Sequence, residues 1–297
     1  MTALPLDLTT LHTGANIPSG EQRAHNTSAA SENKIHDDDV ARTYGFSGGL
    51  VPGATSYAYL AGHLARVLGE RWVTGGASSI RLVRPVYEGE RVQLCGEVAR
   101  AEIDGGRGAV DLDCWVEGPD RTRRAVGTAT LAWGWERAVE ERPEFACAEL
   151  PPRPHDERPM ISLATAPVGW PLPPVLLSAG PPEMAAYLDG IDNHDPLFRE
   201  GSAYGGPLVH PGWWAGAANQ VLARNFNLGP WVHTGSEIQH LAPAIARGTY
   251  HGYGTIVDAF EKRGHEYVTL DVLIADGDDQ PVVRLRHTAI VVLAAHG

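Results

Sequence analysis

The sequence predicts an α+β chain built as two tandem copies of one fold, each a long helix wrapped by an antiparallel sheet. Three observations predict it: a long-period repeat, one amphipathic proline-free segment in each half, and a run of alternating segments after each. Pro52-Gly53 and Trp72-Val73 recur as Pro211-Gly212 and Trp231-Val232, 159 residues on (212 − 53; 231 − 72). Ser79-Ile80 with Pro85 recurs as Glu237-Ile238 with Pro243, and Thr128-Ala129-Thr130-Leu131 as Thr288-Ala289-Ile290-Val291, at offsets of 158 and 160. A repeat this long lies outside the roughly 20–50 residues of a solenoid unit. It implies a duplicated fold with a pseudo-twofold axis and a site between the copies.

Taken in order, residues 1–25 read as a loose lead-in and residues 26–150 as the first copy. Residues 151–182, proline-dense and without a period, read as an extended linker, and residues 183–297 as the second copy. In the first copy Ala54–Gly69 places Tyr57, Leu60, Leu64 and Leu68 at helical spacing. Strands are expected over Ala77–Val83, Arg91–Glu102, Gly108–Glu117 and Arg123–Trp135. Val110, Leu112 and Cys114 alternate there with Asp111, Asp113 and Trp115, the period of a sheet covered on one face. Asp104-Gly105-Gly106 and Gly118-Pro119-Asp120 supply turns. The second copy repeats the scheme with a helix near Trp213–Asn225 and strands near Gly235–Leu241, Gly248–Lys262, Glu266–Ala275 and Pro281–Ala294.

Composition narrows the class. A chain of 297 residues can hold two domains, and 43% hydrophobic with 20% charged residues is globular in character. No apolar run reaches the roughly 18 residues of a membrane span, and the N-terminus lacks a basic region followed by an apolar stretch, so a cytoplasmic protein is expected. Cys95, Cys114 and Cys147 are too scattered for a disulfide framework or a zinc cluster, and no metal or cofactor is expected. A net charge of −12 argues against nucleic acid and membrane surfaces as partners. Local arginines can still receive an anionic carrier.

Particular residues carry a resemblance. Asn33-Lys34-Ile35-His36-Asp37, Ala41, Tyr44-Gly45-Phe46 and Leu50-Val51-Pro52-Gly53 form a loop similar to the active-site loop of MaoC-like (R)-specific enoyl-thioester hydratases and dehydratases. Arg84-Pro85-Val86-Tyr87-Glu88-Gly89-Glu90 resembles the strand-turn after the helix in that family. Asp195-Pro196-Leu197-Phe198-Arg199-Glu200 with Gly205-Gly206 resembles the loop of its non-catalytic half. The resemblance implies a double hotdog fold and an acyl-thioester substrate, carried by coenzyme A or an acyl-carrier protein. It further implies His36 as base and the Gly53 N–H as oxyanion donor. Two such copies make a pseudo-dimer, and a homodimer of pseudo-dimers is compatible with open sheet edges.

The family's aspartate, five residues before its histidine, is Ser31 here. Hydration of an enoyl thioester needs a base for water, a proton for Cα and a donor for the enolate-like oxygen. The acid is then Glu32, one of Asp37, Asp38 and Asp39, a water held by Ser31, or absent. In the second loop Phe198 stands for the histidine and Asn193 for the aspartate. Asn33, Asp37, Val51, Pro52, His210 and Trp213 are expected to contact substrate. Arg81 and Arg84 are candidates for a coenzyme A phosphate, although as strand-edge charges they have a plainer role in solvent.

Each residue also has a plain role: His36 as a surface histidine, Gly53 as a helix opener, Asp37–Asp39 as a helix-start cluster, and Trp213 as core. A thioesterase on the same architecture is disfavoured, because neither helix carries Asp or Glu. The other alternative is a site whose acid–base pair is lost or redirected, toward isomerisation, cyclisation or simple acyl binding.

Overall fold

The structure, a computed structural model, is described for residues 6–134 and 153–294; Cys147 and Trp135, the last residue of the expected strand Arg123–Trp135, lie outside them. The first copy contains β1 (Gly20–Arg23), α1 (Asp38–Thr43), α2 (Gly53–Leu68), α3 (Glu70–Gly75), β2 (Ala77–Leu82), β3 (Arg91–Asp104), β4 (Arg107–Glu117) and β5 (Arg123–Trp133). The second contains β6 (Val175–Ala179), α4 (Pro181–Gly190), α5 (Pro196–Arg199), α6 (Trp213–Asn225), β7 (Val232–His240), β8 (Gly248–Lys262), β9 (His265–Ala275) and β10 (Pro281–Val292).

The ten strands form one antiparallel sheet in the order β1-β3-β4-β5-β2-β7-β10-β9-β8-β6, which reads the same from either edge once the second copy is renumbered onto the first. The copies join through β2 and β7, where Ala77 faces Gln239 and Ile80 faces Ser236. Moving each partner by the repeat offset turns one of these pairs into the other, so the pseudo-twofold axis crosses the sheet between them. This is a double hotdog: each long helix lies in the curve of its own half-sheet.

Local chemistry explains the elements. Of the residues of α2, all but Gly53, Ala54 and Arg66 are buried, so apolar side chains cover every face and the sheet wraps it. α2 ends at Gly69, whose φ of 77° lies in the left-handed region open to glycine. β4 keeps Val110, Leu112, Cys114 and Val116 buried and turns Asp111 and Asp113 outward, the expected alternation.

Two edge strands were not expected. β1 falls inside the segment read as a lead-in and pairs with β3, Gly20 against Leu94. β6 falls inside the segment read as a linker and pairs with β8, Val175 against Gly252. β7 also starts earlier than Gly235, at Val232.

Candidate active site

A cavity of about 1130 Å³ opens between the copies. Its wall combines the loop 27–36, the start of α2, the strand-turn 82–86 and, from the second copy, one face of α6 and the start of β7. The end of α2 in this wall is chemically open. Pro52 caps it without a side-chain hydrogen bond, and the first backbone bond runs from Ser56 N to Pro52 O at 3.0 Å. The amides of Gly53, Ala54 and Thr55 therefore precede the intrahelical ladder, at the positive end of the helix dipole. Gly53 is closely approached: a Cβ there would displace Leu82 Cδ1 and sit a tight 3.0 Å from His233 Nδ1 and 3.2 Å from the His233 carbonyl oxygen.

His36 ends a short 3-10 turn, Lys34–His36, capped by the Asn33 side chain on Ile35 N. The turn is pinned by Leu50 N to Ile35 O at 3.2 Å and by Asn26 Nδ2 to His36 O at 2.9 Å. The His36 ring donates from Nδ1 to Leu50 O at 2.7 Å, since a carbonyl only accepts. The neutral ring then carries its lone pair on Nε2, where the Asn33 amide approaches at 3.3 Å. Burial holds the His36 pKa below the ordinary value, opposed in part by the Leu50 carbonyl.

Asn33 also binds the two copies together, donating to Trp231 O at 3.0 Å and accepting from Trp231 N at 3.2 Å. The one loop thus orients the imidazole and fastens to the other half.

Of the residues expected at the site, His36, Ser31, Glu32, Gly53, Asn33, Val51 and Pro52 line the cavity. Ser31 donates from Oγ to Asn33 O at 3.4 Å. Glu32, 90% exposed at the rim, lies 3.7 Å from His155 Nε2. Three expected substrate contacts do not reach it. Asp37 caps α1 through Asp39 N and Val40 N. His210 is wholly buried, held by Gly212 N at 3.1 Å and Asn193 Nδ2 at 3.3 Å. Trp213 packs edge-on against Trp214 in the core. Asp38 accepts from Gly49 N and pairs with Arg42, as does Asp39, so neither is on the wall. Glu32 is the wall's one carboxylate among the described residues. Arg84 lines the rim with Lys34 and Arg263, whereas Arg81 does not.

The second loop is packed shut. Phe198 meets His210 edge-on at 4.6 Å, and His210 lies against α2, where a Cβ on Gly62 would fall 2.9 Å from its Nε2. Burial pushes His210 down to about 3.

Several wall residues escaped the sequence reading. Gly216, Asn219, Gln220 and Ala223 line it from α6 at the i, i+3, i+4, i+7 spacing of one helix face, a small-and-polar stripe that the sequence does display. Thr27 and Thr55 share a 2.8 Å hydroxyl contact. Tyr187 Oη, Asn219 Oδ1 and His233 Nδ1 are buried wall atoms without a hydrogen-bond partner. Among the described residues no group of three or more His, Cys, Asp or Glu is placed to hold a metal ion, and no helix is long and apolar enough to cross a membrane.

Known proteins share this architecture. No family model and no curated relative matches the chain. Among solved structures, a protein of Chloroflexus aurantiacus named as a MaoC domain protein dehydratase superposes with a TM-score of 0.67 at 13% identity, covering 100% of this chain and 99% of that one. A conserved hypothetical protein of Mycobacterium tuberculosis, described as having a double hotdog fold, gives 0.66 at 17% identity over 96% and 98%. A MaoC-like dehydratase gives 0.61 at 14% identity over 96% and 99%. At these identities the likeness is one of fold, and it spans both copies.

Proposed function

We propose that this chain is a hydratase/dehydratase that reversibly adds water to an enoyl thioester carried by coenzyme A or an acyl-carrier protein. The observation that carries it is the His36 ring, held with its basic Nε2 free of a proton, on the same cavity wall as the uncapped start of α2. His36 Nε2 takes a proton from water as the oxygen bonds to Cβ. The C=C electron pair moves toward the thioester, and the oxygen's developing charge is met by the Gly53 N–H. With Ser31 in place of a carboxylic acid and Glu32 out at the rim, His36 returns the same proton to Cα. The rim supports an anionic carrier: Lys34, Arg84 and Arg263 outnumber Glu32 there, against a chain of net charge −12.

The test is loss of conjugated absorbance when crotonyl-coenzyme A and a longer trans-2-enoyl thioester are incubated with the protein. Turnover supports the proposal. The second reading, a redirected site for another proton transfer or simple acyl binding, is favoured by Ser31. Absence of turnover with any enoyl or 3-hydroxyacyl thioester would select it.

A further inference from the structure

His233, which the second copy contributes from β7, has no part in the chemistry above, yet it lies on the same wall. It is 4% exposed. Its Nδ1 has no hydrogen-bond partner and would stand 3.0 Å from a Cβ built on Gly53, so that nitrogen borders the start of α2. Its Nε2 lies 2.9 Å from Ser236 Oγ, which lies 2.9 Å from His287 Nδ1. The two imidazoles stack at 4.3 Å between centroids, 17° from parallel. Nothing in the fold demands this cluster: by the repeat offset its first-copy counterparts are Thr74 for His233 and Ala77 for Ser236. It spans β7, the second-copy strand next to the pseudo-twofold, whose start reaches the open cavity, and its neighbour β10.

The hydroxyl of Ser236 has one proton to give, so the chain can run in two directions. If His233 donates from Nε2, the leftover N–H belongs to His287 Nε2, which is wholly buried and without a partner. If His287 donates from Nδ1 and Ser236 donates onward, the leftover N–H is on His233 Nδ1, which is also closed to solvent but belongs to a ring on the cavity wall beside Gly53. His287 does not line the cavity, so only the second direction leaves the N–H next to space that a partner can enter, and it prevails. Burial holds both rings neutral, His233 down to about 4 with the Gly235 backbone opposing, and His287 well down with His233 as the further cause.

We infer that His233 is a third active-site residue, a neutral imidazole whose Nδ1–H joins the Gly53 amide in holding the thioester oxygen. It donates a hydrogen bond and transfers no proton. The inference rests on the thioester reading of the cavity for its ligand, but not for its tautomer.

The experiment has two arms. In protein labelled with nitrogen-15 at histidine, long-range proton–nitrogen correlation at pH 7.5 reads each ring's tautomer. The expected result is a protonated Nδ1 and bare Nε2 at His233, with Nδ1 shifting when butyryl-coenzyme A, which cannot add water, is titrated in. A protonated Nε2 overturns the inference, as does an unmoved His233 Nδ1 while His36 responds. If no cavity signal responds to butyryl-coenzyme A, the thioester reading itself fails, and the tautomer still decides the donor. In the second arm, His233→Leu is expected to lower kcat on crotonyl-coenzyme A about 10²- to 10³-fold with little change in KM, the usual loss for an oxyanion donor. His233→Asn, which keeps an N–H, should recover part of it. Equal loss in both variants overturns the donor role.

Discussion

Replacing Asn33 with alanine should weaken the junction of the two copies. The Asn33 amide makes a two-point contact with the Trp231 backbone, at 3.0 and 3.2 Å, and caps the turn beneath His36. Loss of an asparagine cap costs about 1 kcal/mol. Each buried backbone group left unpaired costs about 1–3 kcal/mol, and Trp231 is 8% exposed. Some water reaches this edge of the cavity, so we expect the total to be about 2–4 kcal/mol. Equilibrium urea unfolding at pH 8, where His36 is neutral in wild type and variant alike, reads it as a lowered midpoint with an unchanged slope. A destabilisation under about 0.5 kcal/mol would refute the claim that this side chain fastens the His36 loop to the second copy.

Two further outcomes follow from the same geometry. Ser31→Asp puts a carboxyl on the cavity wall that His36 also lines, and we expect crotonyl-coenzyme A hydration to rise at least about tenfold through a second proton carrier; an unchanged rate in the spectrophotometric assay would show that Ser31 does not occupy the acid position. Acid should unfold the protein early. His210 and His233 titrate at about 3 and 4 when folded, so protons favour the unfolded chain, and the stability they confer is full above pH 6.5 and lost as pH falls. By pH 4.5 the two together forfeit about 5 kcal/mol, a large part of a typical domain's stability, so circular dichroism should show a cooperative loss between pH 6 and 4. A molecule unaltered at pH 4 would contradict the burial of these rings.

The parts of the fold that show in the sequence are those with a long period or a strict alternation. The Pro-Gly and Trp-Val landmarks mark both helices, and β4 announces its buried face through Val110, Leu112 and Cys114. β1 and β6 do not, since Gly20–Arg23 is four polar-rich residues and Val175–Ala179 sits behind a proline-rich run; pairing with β3 and β8 makes them strands. The loop from Ser31 to Gly53 was legible as one unit because its members are close in sequence. His233 and Asn219 were not, because the pseudo-twofold brings them to the wall from far along the chain. His210 and Trp213 misled for the converse reason: they flank the second glycine turn, where Gly212 reaches the cavity wall, but their own side chains turn into the core, His210 against Phe198 and Trp213 against Trp214.

The central claim is that one imidazole carries the chemistry, and crotonyl-coenzyme A hydration by wild type and His36→Ala, measured side by side at pH 7.5, tests it most directly. The account predicts turnover in the wild type and a loss of about 10²- to 10⁴-fold in the variant, with its urea midpoint retained. Equal rates in the two proteins would contradict it.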